Sequence, residues 1–334
     1  MTTTKPRIAL ILGDPAGVGP ELVAKALADE RVRGAADHLL VSDEAELAQA
    51  QADAGVEFPW SRSPQPGVPL LIDNGASRPE QGFPRAQASR EGGEWVLANF
   101  RRAFELVREG LADAVVFAPL NKTSLHLAEM PGRDEMDWFE TVLDDGTRAT
   151  ELNILPELTT ARVTSHIPLS KVAAAITEQL IIERATLLRD VLVADGTADP
   201  RIGVCALNPH AGDNGNYGSE EGDLIAPAVA ALREAGIRVE GPIPSDTIFI
   251  RALQHREFDG VLTMYHDQGQ IAMKLTGFDR GVTMAGGLSV PVCTPAHGTA
   301  FNIVGRGEAN PGAYLRALEV ARAVASRPRA AART

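Results

Sequence analysis

Residues 7–29, RIALILGDPAGVGPELVAKALAD, decide the fold. "RIALIL" (7–12) is an unbroken apolar run, the pattern of a strand buried on both faces. "GDPAGVGPE" (13–21) is turn-rich, and "ELVAKALAD" then takes helical spacing. The design recurs downstream. "ADAVVFAP", "ARVTSHIP", "RIGVCALNPH" and "FDGVLTMYH" are short apolar runs with helical segments nearby. "EGGEWVLANFRRAFELVREG" places Val96, Leu97, Phe100, Phe104 and Val107 on one helical face, with Gly110 as its stop. Segment 53–92, rich in Pro, Gly, Ser and Gln, reads as irregular connections plus an edge strand. Strand–helix alternation of this kind predicts an α/β fold with a largely parallel sheet.

The chain has 334 residues, 44% of them apolar, enough for one large domain or two ordinary ones. Its formal charge of −12 argues against a nucleic-acid or acidic-membrane partner. Cys205 and Cys293 are the only cysteines, and they read as small buried hydrophobes in a reducing cytosol. The first residues lack the apolar core of a signal peptide, and no run reaches the ~20 residues of a membrane span. A cytoplasmic enzyme is expected.

Three predicted strands end on an imidazole: His166 after "ARVTS", His210 after "IGVCALNP" and His266 after "GVLTMY". In an open parallel sheet these carboxyl ends line one crevice, where ligands bind. Three neutral imidazoles there would suit a divalent metal, zinc foremost, though cobalt, nickel and manganese also accept such donors. A lone histidine at a strand end can equally be a hydrogen-bonded loop residue. His38, His126 and His255 are assigned to the surface. Asp246 in "PIPSDTIF" and Asp267 are candidates for acid–base work. Against that, Asp246 could be a helix N-cap and Asp267 a turn residue. In "GDPAGVGPE", Gly13, Gly17 and Gly19 permit close backbone approach to a ligand. It is not a G-x-G-x-x-G fingerprint. His297, Gly298, Thr299 and Ala300 form a second glycine turn that could cradle the adenosine part of a nucleotide.

Taken together, "GDPAGVGPE", "FAPLNK", "TSHIPLS", "NPHAGDNG…GSEE", "PSDTIF", "YHDQGQIAMK" and "HGTAFNIVGRGEANPG" resemble the 4-hydroxythreonine-4-phosphate dehydrogenase (PdxA) family. The resemblance runs in order from residue 8 to about 320. It implies a two-domain isocitrate/isopropylmalate dehydrogenase-like α/β fold with a central cleft and a homodimer. The nucleotide-binding domain would be residues 1–125 plus 275–334. Residues 126–274 would carry metal, substrate and the dimer contact. It implies an NAD(P)-dependent dehydrogenase that oxidises a β-hydroxy acid to a β-keto acid, which then loses CO₂. His166, His210 and His266 would be the metal ligands. Asp246, Lys122 and Asp267 would do the proton chemistry, and Lys274 would contact substrate. Gly13, Asp14, Gly17, the 297–300 turn and Asn310 would hold the cofactor.

The chain departs from the family pattern where substrate is gripped. Gly-His-Thr-Glu becomes Gly132-Arg133-Asp134-Glu135, an Asn becomes Thr283 and an Arg becomes Val292. Losing that guanidinium removes a charge-assisted contact of about 1.5–3 kcal/mol. Arg133 and Asp134 would take over substrate contacts. Val290, Val292 and Met284 would suit a ring. The preferred substrate is therefore a carboxylated cis-dihydrodiol such as that of terephthalate, in aromatic catabolism. The alternative is 4-hydroxythreonine 4-phosphate, in pyridoxal phosphate synthesis.

Overall fold

The computed structural model describes residues 5–132, 134–277 and 280–327. Arg133, a substrate-contact expectation, lies outside them. Contacts divide the chain into two units, residues 1–149 with 288–334, and residues 150–287. The expected borders at 125/126 and 274/275 fall inside these units. The aromatic helix Glu135–Leu143 explains the first difference, because Trp138 and Phe139 pack on Phe100 of the first unit. The second arises because residues 282–286 pair with 150–154 in one ladder.

Eleven strands form the scaffold: β1 (Arg7–Ile11), β2 (Asp37–Val41), β3 (Leu70–Ile72), β4 (Ala114–Phe117), β5 (Thr150–Ile154), β6 (Thr159–Arg162), β7 (Ile202–Cys205), β8 (Val239–Ile243), β9 (Gly260–Thr263), β10 (Val282–Gly286) and β11 (Val292–Pro295). In the first unit the order is β3-β2-β1-β4-β11, with every pair parallel. The strand expected within 53–92 is β3, at the edge. Unbroken apolar sequence suits this sheet: Ile8, Ala9, Leu10 and Ile11 are each at most 1% exposed. In the second unit the order is β10-β5-β6-β9-β7-β8. β10–β5 and β5–β6 are antiparallel and the remaining pairs parallel. Cys205 and Cys293 are both buried thiols, as expected.

The helix Arg90–Arg108 buries the predicted face. Ser89 caps it by accepting from the Gly92 amide at 3.0 Å. Gly110, at φ 67°, ends the last turn. Phe100 sits at 5.0–5.6 Å from the rings of Phe139, Phe117 and Trp138. His38 corrects a surface assignment. It lies on β2, 4% exposed, and burial lowers its pKa to about 4. Among the described residues no helix is long and apolar enough to cross a membrane.

The same unit buries a carboxyl group. Glu46 accepts from Ser42 Oγ at 2.6 Å and from Trp95 Nε1 at 3.0 Å, and desolvation raises its pKa to about 7.

Two measurements test this unit. Phe100→Ala empties the centre of the aromatic cluster and should cost about 3–5 kcal/mol in chemical denaturation. A loss well under 1 kcal/mol would remove the cluster from the core account. Glu46 holds a proton in the folded chain that the unfolded chain releases above about pH 4.5. Its contribution therefore falls as pH rises from about 4.5 to 7, then levels off. Glu46→Gln should flatten that slope and raise stability at pH 8 by up to about 3 kcal/mol. An unchanged pH profile would contradict a buried neutral Glu46.

Candidate functional site

In the second unit the parallel neighbours β6, β9 and β7 end on the same side. The chain beyond them is stitched by hydrogen bonds. Val163 N donates to Thr263 O at 2.8 Å, and Thr164 N to Met264 O at 3.1 Å. Gln268 supplies the cross-link to β7. Its Oε1 accepts from Met264 N at 2.8 Å and its Nε2 donates to Ala206 O at 2.9 Å. The polar ending "YHDQG" is thus part ligand candidate and part staple. Gly269 is in helix. A Cβ there would sit 3.3 Å from Thr263 Oγ1, so the glycine admits a close approach between helix and strand.

His166 follows β6 with φ 46°, and His266 opens the helix His266–Gly277. Their rings lie 5.6 Å apart between centroids. His266 Nδ1 is 2.7 Å from Asp267 Oδ1, which orients the ring and leaves Nε2 for a ligand. His210 opens a run of left-handed backbone, residues 210–214, with φ between 43° and 79°. Its ring packs 6.2 Å from Tyr217. Among the described residues no group of three or more His, Cys, Asp and Glu side chains is gathered to hold a metal. His166 and His266 come together at these strand exits, and His210 packs against Tyr217. The donor chemistry fits a divalent ion. Two neighbouring imidazoles would offer a divalent ion a pair of nitrogen donors.

Glu221 escaped sequence reasoning as an individual residue. It is 5% exposed, and its Oε1 accepts from the amides of Leu207 at 2.8 Å and Asn208 at 2.6 Å. Its Oε2 accepts from Asn208 Nδ2 at 2.9 Å. It therefore anchors the chain immediately before His210. The signal lay in the acidic pair of "GSEE", a short distance after "NPH".

Asp246 lies exposed in the first turn of the helix Ser245–Leu253, whose N-cap is Pro244. The N-cap alternative for Asp246 is not what forms. Lys274 is exposed on the helix that His266 opens. Thr283 is half-buried on β10 opposite Asn153. Met284 on the same strand is 1% exposed.

In the first unit the turn after β1 packs on two other turns. Gly13 (φ 83°) has no room for a side chain, since a Cβ would lie 2.6 Å from Pro119 O. At Gly17 a Cβ would lie 2.8 Å from Thr299 Cβ, and Val18 N donates to Thr299 O at 3.0 Å. Asp14 is 1% exposed and accepts from Ala16 N at 2.9 Å; burial raises its pKa. Gly17 and Val18 thus buttress the 297–300 turn, while Gly13 and Asp14 pack on the 118–119 turn. Gly298 faces open space, His297 is half-buried, and Ala300 takes φ 45°. Asn310 Oδ1 accepts from Gly312 N at 2.9 Å at the start of the helix Gly312–Ala325. Lys122 is exposed at the start of the helix Lys122–Leu127. Asp134 caps Glu135–Leu143 by accepting from Asp137 N at 3.0 Å. Val292 pairs with Val115 and is 1% exposed, as is Val290. The apolar side chains expected to face a ring belong to the cores of their units.

A family model described as pyridoxal phosphate biosynthetic protein PdxA matches residues 34–321. A Pseudomonas aeruginosa protein, named provisionally as a second 4-hydroxythreonine-4-phosphate dehydrogenase, is 50% identical over 95% of this chain and 96% of its own. A Cupriavidus necator D-threonate 4-phosphate dehydrogenase is 38% identical over 98% and 99%. Among solved structures, a 4-hydroxythreonine-4-phosphate dehydrogenase from Burkholderia phymatum is 35% identical with a TM-score of 0.76, covering 97% of this chain and 99% of that one. A terephthalate 1,2-cis-dihydrodiol dehydrogenase from Burkholderia xenovorans LB400 is 26% identical with a TM-score of 0.68, covering 93% and 95%.

Glu221→Ala leaves two backbone amides without their acceptor. Urea denaturation should show a loss of about 1–3 kcal/mol, with faster amide exchange at Leu207 and Asn208. Unchanged exchange at those two amides would refute the anchoring role.

Proposed function

The chain belongs to the PdxA family, and from that membership we propose that it is an NAD-linked, metal-dependent dehydrogenase of a short β-hydroxy acid bearing a terminal phosphate. The substrate class is that of 4-hydroxythreonine 4-phosphate and D-threonate 4-phosphate. The observation that carries the reading is the His166–His266 pair at the ends of adjacent parallel strands. The relatives at 50% and 38% identity are named for 4-phosphates, while the dihydrodiol enzyme stands at 26%. Val292, whose isopropyl group suggested a ring-shaped substrate, is enclosed in β11. The dihydrodiol reading therefore gives way to the phosphate.

In this proposal His166 and His266, with His210, hold the divalent ion, zinc being the expected one. When bound, that ion supplies Lewis-acid polarisation of the substrate oxygen. Asp267 fixes the His266 ring. Asp246, exposed in the first turn of its helix, would accept the hydroxyl proton, and bound NAD would supply the hydride acceptor. The product is a β-keto acid. Its C–C bond to the carboxylate breaks, CO₂ leaves, and the electron pair becomes an enolate that Lys122 protonates. Lys274 meets the anionic end of the substrate with a flexible point charge. Gly298 and Thr299 receive the adenosine part of the cofactor, their turn held by Gly17 and Val18. The working form is a homodimer, which would cover Ile271 and Leu275, 61% and 85% exposed. The protein acts in the cytoplasm.

NADH formation should be followed with D-threonate 4-phosphate, 4-hydroxythreonine 4-phosphate and terephthalate cis-dihydrodiol. Turnover is expected with a 4-phosphate and not with the dihydrodiol. His266→Ala should lower kcat/KM by more than about a hundredfold while the chain stays folded. Turnover of the dihydrodiol alone would sink the proposal.

A further inference from the structure

The second unit buries a polar cluster that the proposed chemistry does not use. Arg162, the last residue of β6, is 3% exposed. Its Nη2 pairs with Glu151 Oε1 on β5. Gln270 Nε2, from the helix His266–Gly277, donates to the same Glu151 oxygen at 3.2 Å. Asn153, in the amide orientation that satisfies it, donates to Glu151 Oε1 at 3.2 Å. It then accepts from Arg162 Nη2 at 3.2 Å and Gln270 Nε2 at 3.3 Å. Among the described residues, buried Arg162 Nη1 and Gln270 Oε1 have no hydrogen-bond partner.

Such a cluster is a poor way to stabilise a fold. A desolvated ion pair is commonly matched or bettered by apolar side chains of the same volume, and buried atoms without partners add to the cost. Its placement suggests what it does instead. Residues 266, 270 and 274 are spaced by four on one helix and so share a face. Gln270 is the buried middle member, between His266 and Lys274. Arg162 closes the strand that leads to His166, and Asn153 lies opposite Thr283. The four polar groups meet where three elements bearing site candidates converge. Their hydrogen bonds are directional, whereas apolar packing would let the helix slide or rotate.

We propose that Glu151, Asn153, Arg162 and Gln270 are positioning residues that fix the rotation and axial setting of the helix His266–Gly277. They thereby aim the His266 imidazole and the Lys274 ammonium. The proposal rests on the reading that His266 is a metal ligand. The experiment separates the two by titrating the purified full chain with Co²⁺ alone, which needs no substrate. Gln270→Met keeps the ion pair and the side-chain volume. The apolar set Glu151→Leu, Asn153→Val, Arg162→Met and Gln270→Leu removes the whole cluster.

Both variants should melt within a few degrees of the parent. Both should bind Co²⁺ roughly tenfold to a hundredfold more weakly, with an altered ligand-field spectrum. With the best 4-phosphate substrate, kcat should fall while KM for NAD holds. Parental Co²⁺ affinity and spectrum in the folded variants would overturn the proposal and leave the cluster as packing. If the apolar set does not fold, Gln270→Met decides alone. Absence of turnover with every substrate would count against the dehydrogenase reading and leave the Co²⁺ result standing. A parent chain that binds no Co²⁺ would refute the metal reading and the effect proposed at His266 with it.

Discussion

Parallel pairing is the constraint on which the second unit depends. β6, β9 and β7 run the same way, so each must leave the sheet on the same side with its last carbonyls and amides unsatisfied. The chain resolves this locally, through Thr164 on Met264 O and through both ends of the Gln268 amide. The segment leaving each strand is then held at a defined place beside its neighbours. His166 and His266 come within reach of each other because their strands are adjacent and their exits are hydrogen-bonded together.

The fold was largely legible because parallel strands buried on both faces leave unbroken apolar runs. β1, β4, β7 and β9 fall in the runs that mark them, while β6 overlaps its run only at Ala161 and Arg162. The helix Arg90–Arg108 was legible for the complementary reason, a 3.6-residue apolar period with a serine before it and a glycine after it. His38 was not, because a single imidazole inside β2 has the same local pattern as one on its surface. The unit borders were missed because they are set by pairings distant in sequence, β10 with β5, which no local pattern reports.

The site was legible at the level of residue types and less so at the level of roles. Strand ends announced the histidines. The sequence could not show that Gly17 and Val18 support the 297–300 turn while Gly13 and Asp14 pack on Pro119, because that depends on how three loops pack. It also could not show that Val292 is enclosed. Burial of Val292 weakens the substrate inference drawn from it, because replacing an arginine by an apolar residue can close a position into the core instead of lining a pocket with it. Glu221 and the Glu151–Arg162–Gln270 cluster are charged and polar groups at positions where burial is costly. Only a structure reveals that they are buried.

The first unit's sheet is built from distant parts of the chain, since β11 completes it alongside β4. During synthesis β4 emerges long before its partner. At roughly 5–20 residues per second, the stretch between Phe117 and Val292 takes on the order of nine to thirty-five seconds to appear. Through that interval one flank of an apolar strand has no neighbour in its own unit, and an unpaired strand edge invites pairing with another chain. Yield in the cell should then depend on how crowded the ribosomes are on one message, a property that no equilibrium measurement on the finished protein reports.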